Sequence, residues 1–357
     1  MSDTGSTGSS AAGGHERRGE GLLMLWLGCS AFLFFLIFNH GHFIGSDEVA
    51  IYEMTQSIVE RGDLAIPPIQ HTAVGPDGRR YSFFTAGQSV LAAPLYQLGL
   101  LAEKWLPYDW RRVIAGPRNG YGPFVFGGEV PIGFVSLYAP LASTLLVLVF
   151  YQFSLALGTS RRNALLATAL LATCTYVLMM STYFLRHAPE SAALLGSFYF
   201  FFRYKQGGPL RDLWIGCSLA FLVPLLRVPA ALNAPVLAAY LAWVIYLRSD
   251  RFERKKVVGA ALLAIAVPLT AAVMLHVTFN YMKWETFFTS PMVAQIERLK
   301  NPIAIGLQGF LFSPGSSVFV YSPLLLLIPW TLPNFWKRWR AEAVAFISLA
   351  LFLLLVY

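Results

Sequence analysis

The sequence predicts an all-α, polytopic membrane protein, and three observations carry that prediction. Hydrophobic residues make up 56% of the 357 and charged residues only 13%, about half the charged share of a soluble domain, which is roughly 25%. Apolar runs recur from Leu22 to Tyr357, and a bilayer crossing needs about 20 such residues in a helix. The Lys and Arg residues behind the net charge of +8 fall in short clusters between those runs. That is the positive-inside pattern of membrane insertion, not a nucleic-acid-binding stripe.

Taken in order, residues 1–21 are rich in Gly and Ser without apolar periodicity, the signature of a disordered tail. Arg17 and Arg18 precede the run Leu22–Phe38, and Asn39-His40-Gly41-His42 follows it where a signal peptidase would need small residues. This predicts an uncleaved signal anchor with a cytoplasmic N-terminus. The later runs are Val90–Ala102, Pro131–Leu157, Ala164–Ser181, Ser191–Phe202, Leu213–Leu226, Ala230–Leu247, Val257–Val277, Gly306–Ile328 and Ala341–Tyr357. If Val90–Ala102 spans, Arg161/Arg162 falls outside and every later cluster inverts with it. If that run, which contains Pro94, lies along the membrane surface, all the basic clusters fall inside: Arg17/Arg18, Arg161/Arg162, Arg203/Lys205/Arg211, Arg248 to Lys256 and Lys337/Arg338/Arg340. The second arrangement satisfies the charge rule and leaves about nine spans within residues 22–357. It also places a long first loop, 39–130, on the outer face with interfacial helices in it. The chain ends at Tyr357 inside the ninth run, which fits either a minimal protein or a sequence cut short.

Cys29, Cys174 and Cys217 each sit in an apolar run without CxxC spacing, so buried thiols are expected rather than disulfides or zinc. Polar variety is concentrated in the outer loops, and chemistry is expected there. Ser46 is a good N-cap, and Asp47 and Glu48 would then occupy a first helical turn, where acids favour the helix dipole. The alternative is functional: a carboxylate at the end of a membrane helix, beside an interfacial helix, is placed to act as a general base. His40, His42 and His71 share the loop, but His-x-His puts both rings on one face only in a strand, and no strand signal is present. No metal site and no cofactor are expected. Trp105, Tyr108, Trp110, Tyr121 and Trp284 suit interfacial anchors. Asn280, Lys283, Glu285, Glu297, Arg298 and Lys300 fall in a later outer loop, where acceptor contact and plain hydration explain them equally.

Several stretches in a fixed order resemble the glycosyltransferase C superfamily, which includes protein O-mannosyltransferases and aminoarabinose transferases. They are the first span followed by Asp47-Glu48, then Arg80-Tyr81-Ser82-Phe83-Phe84 with Gly87-Gln88-Ser89 and Ala92-Ala93-Pro94-Leu95-Tyr96. Thr182-Tyr183-Phe184 with Glu190 follows, then Phe279-Asn280-Tyr281, and finally Leu311-Phe312-Ser313-Pro314-Gly315 with Tyr321-Ser322-Pro323-Leu324. The resemblance implies an inverting cell-envelope glycosyltransferase. It would move a hexose or pentose from a polyprenyl-phosphate donor to a lipid, glycan or protein acceptor on the outer face, among membrane lipids and without nucleic acid. It implies Asp47 as base, with Glu48 and Glu190 as further catalytic candidates and His187 and Asn280 as donor or acceptor contacts. The sequence departs from the family pattern twice: Phe83 and Phe84 stand where a basic residue is expected, and Ser316 stands where an Arg is expected after Gly315. Arg79, Arg80, Arg118, Arg186 and Arg227 are the substitutes for the phosphate. Arg227 is preferred because an Arg between apolar runs is costly unless paired, with Arg80 and Arg186 beside it.

Two other classes compete. A transporter would carry charges deep in its spans and show internal symmetry; only His276 approaches the first and no repeat supports the second. A catalytically silent envelope-assembly protein of the same architecture would account for the two missing basic residues.

Overall fold

A chain this apolar leaves its backbone little water to bond, and helices satisfy their own N–H and C=O groups. The computed structural model describes residues 8–115, 128–249, 254–288, 291, 302–315 and 317–356, and helices dominate them. In order they are α1 (Gly8–Phe38), α2 (Ser46–Arg61), α3 (Gly87–Trp105), α4 (Tyr108–Ala115), α5 (Val130–Ser136), α6 (Tyr138–Ala156), α7 (Arg161–Thr173) and α8 (Tyr176–Met180). There follow α9 (His187–Lys205), α10 (Leu210–Leu226), α11 (Ala234–Ser249), α12 (Arg254–Trp284), α13 (Ile303–Phe312), α14 (Val318–Tyr321), α15 (Ile328–Arg338) and α16 (Arg340–Val356). A 3₁₀ segment, Val228–Asn233, joins α10 to α11.

Among the described residues, 4 helical stretches are long and apolar enough to cross a membrane: Gly19–Phe38, Val130–Ala156, Val228–Ser249 and Arg254–Trp284. Two runs expected to be single spans are broken instead. Ala164–Ser181 divides at Cys174-Thr175, where the Thr175 hydroxyl accepts the Val177 N–H at 3.2 Å and starts α8 afresh. Gly306–Ile328 divides at Ser313-Pro314-Gly315 and again before Pro323, because proline supplies no amide to a continuing helix. Helix α1 begins at Gly8 and so takes in part of the stretch expected to be a disordered tail.

The first loop departs from expectation in one respect. It contains a hairpin, β1 (Thr72–Val74) paired antiparallel with β2 (Arg80–Ser82) in the register Thr72↔Ser82, Ala73↔Tyr81, Val74↔Arg80. Its turn is fastened by Asp77, which accepts from the Arg79 amide at 3.0 Å and from the Tyr81 hydroxyl at 2.6 Å.

Of four apolar clusters among the described residues, the two largest hold most of the buried apolar side chains. One is largely aromatic and gathers Phe43, Tyr52, Tyr81, Phe84, Tyr96, Phe184 and Trp284 from the first loop, the approach to α9 and the end of α12. Burying rings of this size dominates local stability, and the pairs Phe43–Phe184 and Tyr52–Tyr96 lie at favourable centroid distances of 5.3 and 5.6 Å. The other core packs Phe198, Phe202, Leu213, Tyr240, Val244 and Ala264 between α9, α10, α11 and α12. Beside it Glu342 of α16 is buried, paired with Lys205 and accepting from the Tyr240 hydroxyl at 2.8 Å. Lys205, expected to be a topology signal, therefore has a structural task as well.

Candidate active site

Helix α2 starts at Ser46, with Gly45 rather than Ser46 as the N-cap. The carboxylate of Glu48 reaches back: Oε2 accepts from the Ile44 and Gly45 amides at 2.9 Å each, and Oε1 accepts from the Phe184 amide at 2.6 Å. Glu48 is 2% exposed. Burial pushes its carboxyl above the usual range, while the three backbone N–H groups pull the other way. Its place is thus inside the protein, tying the start of α2 to the segment before α9. Asp47, one residue earlier on the helix, faces outward with its side chain 39% exposed, and its Oδ1 lies 3.0 Å from Nε2 of His71. Ser46, released from capping, places its hydroxyl 3.1 Å from the same nitrogen.

The segment after the hairpin is clamped between three helix ends. Lys283, in the last turn of α12, donates to the carbonyls of Ser82 at 3.2 Å and Phe84 at 2.6 Å. Thr85 donates to the carbonyl of Leu226 at the end of α10, at 2.8 Å. A Cβ on Gly87 would stand 2.3 Å from the carbonyl oxygen of Leu225, and one on Gly75 would stand 2.7 Å from that of Lys283. Glycine at both positions is what lets the hairpin and α3 approach so closely. Gln88 of α3 donates to the Phe184 carbonyl at 3.2 Å, so both α2 and α3 grip Phe184.

Between the clamped segment and the helix ends lies a cleft of about 160 Å³, lined by Phe83, Phe84, Arg186, Arg227, Asn280 and Lys283 among others. Its cationic and amide lining gives it the chemistry to receive an anionic headgroup. Arg186 is the N-cap residue of α9, and its guanidinium lies 4.5 Å from the Phe84 ring centroid. Arg227 is the C-cap residue of α10, in extended conformation ahead of Val228-Pro229. Its guanidinium is 3.8 Å from Glu190 Oε2, an ion pair longer than a hydrogen bond. That buried oxygen has no hydrogen-bond partner among the described residues. Glu190 and His187 precede the apolar run 191–202. Burial raises the Glu190 carboxyl, with Arg227 and Arg186 opposing, and it lowers the His187 imidazole to about 4, helped by the same two cations. His187 is therefore neutral near neutral pH.

The structure thus brings Arg186, Arg227 and Asn280 to one cleft, with Glu190 joined to it through Arg227. Asn280 also closes the end of α12, donating to the Thr286 carbonyl at 2.8 Å. Arg80 stands apart: exposed on β2, it reaches Thr72 at 3.5 Å and does not line the cleft. Asp47 and Glu48 do not line it either. Asp47 connects to it through His71, whose ring lies 5.8 Å from Phe84 on the way to Arg186. Among the described residues no group of three His, Cys, Asp or Glu side chains is placed to hold a metal. Arg118, Glu297, Arg298, Lys300 and Ser316 lie outside the described residues.

Sequence reasoning underrated two residues. Lys283 read equally as an acceptor contact or as hydrated loop polarity, yet it is 4% exposed. His71 read only as a metal candidate. The signal for both was Gly75-Pro76-Asp77-Gly78, a turn between two short strand-forming stretches, which folds the loop back onto α12. No curated protein matches the chain. Residues 82–225, less than half of the chain, match the family model described as dolichyl-phosphate-mannose-protein mannosyltransferase, a family of the glycosyltransferase C superfamily, in line with the resemblance read from the motifs.

Proposed function

We propose that this protein is a membrane glycosyltransferase that moves a sugar from a polyprenyl-phosphate donor to an acceptor on the outer face. About nine spans, a cytoplasmic N-terminus and an extracytoplasmic site complete that reading. The observation that carries it is the junction of an outward-facing carboxylate, Asp47, with a cleft lined by Arg186, Arg227 and Lys283 through the single segment 82–87. The family match over residues 82–225 begins at that segment.

The chemistry assigns each group a task. The acceptor hydroxyl oxygen bonds to the anomeric carbon, the bond from that carbon to the phosphate oxygen breaks, and configuration inverts. Asp47 takes the hydroxyl proton. The phosphate goes from one negative charge to two as it leaves, so it needs no general acid but does need cations already in place. Arg227, Arg186 and Lys283 supply them. Glu190 holds Arg227 and offers its remaining acceptor capacity to the incoming substrate, while neutral His187 and Asn280 provide uncharged contacts.

The test uses purified protein in liposomes with radiolabelled polyprenyl-phosphate sugars and extracted envelope acceptors, comparing wild type with Asp47→Asn. Loss of transfer by about 100-fold or more in the variant, with unfolding unchanged, is the expected result. Equal transfer by both proteins removes Asp47 from the mechanism.

A further inference from the structure

We propose that His71 is the positioning residue for Asp47, an inference that rests on the reading of Asp47 as the base. An ionised carboxylate can only accept hydrogen bonds. The imidazole nitrogen 3.0 Å from Asp47 Oδ1 therefore carries the proton, and His71 is held as its Nε2–H tautomer. The same N–H lies 3.1 Å from the Ser46 hydroxyl. Oδ1 is thereby occupied, and Oδ2 is left as the oxygen that takes the acceptor's proton. A carboxylate 39% exposed would otherwise rotate freely about its Cβ–Cγ bond. The imidazole N–H stays on His71 throughout.

The backbone around His71 is committed to this arrangement. Its φ is +62°, in the left-handed region that few residues other than glycine adopt. In that conformation its carbonyl accepts the Phe83 amide at 3.0 Å, one step beyond the hairpin register that begins at Thr72↔Ser82. Its ring lies tilted against Phe84 at 5.8 Å. Each packed element contributes its polar and charged groups: Ser46 and Asp47 from α2, Arg186 on Phe84 from the start of α9, and Arg80 across the hairpin at Thr72. Among these, Asp47 is the only carboxylate. One residue thus closes the hairpin, packs on the wall of the phosphate cleft and orients the base, linking the two halves of the site. A positive φ at the residue paired with Asp47 is the kind of local strain that collects at functional sites.

Three variants separate this role from packing. Gln places an amide N–H near the position of Nε2, Asn places one near Nδ1, and Phe keeps the ring without a donor. With polyprenyl-phosphate mannose as the donor probe, His71→Gln should retain kcat within about threefold. His71→Asn and His71→Phe should lose about tenfold or more, at unchanged KM for the donor. Wild-type kcat in His71→Phe, while Asp47→Asn is inactive, overturns the role of His71 and leaves the base standing. Full activity in Asp47→Asn overturns the base itself. A measurement on the wild-type protein needs no turnover: with ¹⁵N-labelled histidine, His71 should show the Nε2–H tautomer, and that signal should shift in Asp47→Asn. An Nδ1–H tautomer overturns the proposal.

Discussion

Gly87→Ala tests whether segment 82–87 is fixed by contact with the end of α10. A Cβ at this position would stand 2.3 Å from the Leu225 carbonyl oxygen and 2.7 Å from its carbon, whereas ordinary contact begins near 3.4 Å. Both opposing atoms are backbone, so no side chain can swing away, and the start of α3 must retreat by about 1 Å. Overpacking of this kind costs about 1–3 kcal/mol. The retreat also stretches the 2.8 Å bond from Thr85 to Leu226, which adds about 1 kcal/mol. Activity is expected to fall as well, by about 100-fold, because that is what a 1 Å misplacement of a reacting constellation costs. Thermal unfolding in detergent and sugar transfer in liposomes read the two effects separately. Gly259→Ala is the control: it lies in α12 with nothing within 4 Å of the added atom, and removing a helix-interior glycine should stabilise by about 0.5–1 kcal/mol. Wild-type unfolding and wild-type transfer in Gly87→Ala would refute the clamp.

Glu48→Gln leaves at least one of the three backbone donors at Ile44, Gly45 and Phe184 facing an amide NH₂. An unsatisfied buried donor costs about 1–3 kcal/mol. The variant should unfold earlier while each folded molecule keeps most of its transfer; equal stability with lost transfer would return Glu48 to the chemistry. The imidazole of His187, lowered to about 4, binds its proton more weakly folded than unfolded. Its contribution to stability is present above the unfolded value near pH 6.5 and is lost as pH falls toward 4, by roughly 2–3 kcal/mol. His187→Gln should flatten that part of the unfolding-versus-pH curve, and an unchanged slope would exclude the histidine as its source.

How much of this was legible in the sequence depended on how local each signal was. Helix α12 announces itself, since its run is long and its one interior proline, Pro268, sits between Val267 and Leu269. The run Gly306–Ile328 looked equally continuous only because Pro314, Gly315 and Pro323 are outweighed in a hydropathy average, while the backbone responds to each one singly. Asp47 and Arg227 stand out in the sequence because a charge beside an apolar run demands a reason. Lys283 stands out less, because at the end of a span acceptor contact and plain hydration explain it equally. Only the hairpin folding back over Trp284 and Lys283, with Tyr81 against Trp284 at 5.8 Å, removes it from water. Glu48 is the opposite case. Next to Asp47 in sequence it shares the look of a catalytic pair, yet successive helix positions point about 100° apart. The first-loop backbone claimed one carboxylate and left the other outward.

On the proposed reading, the basic residue missing at Phe83 and Phe84 has been replaced in space by Lys283. The segment contributes carbonyls to the ammonium and an aromatic face to Arg186, so the cations hang on helix ends rather than on the motif. A unit charge pair at 4 Å is worth about 4 kcal/mol at an effective dielectric of about 20, close to a thousandfold in rate if it forms fully as the phosphate leaves. Lys283→Met should therefore reduce transfer by about 100-fold or more. Two explanations of that loss are open, lost charge or a slackened segment, and Phe83 separates them because both residues line the cleft. Phe83→Lys added to Lys283→Met returns the charge without restoring the two carbonyl bonds. Recovery of transfer by about tenfold or more would assign Lys283 to the leaving phosphate. No recovery, with Lys283→Arg also inactive and unfolding early, would assign it to holding the segment in place.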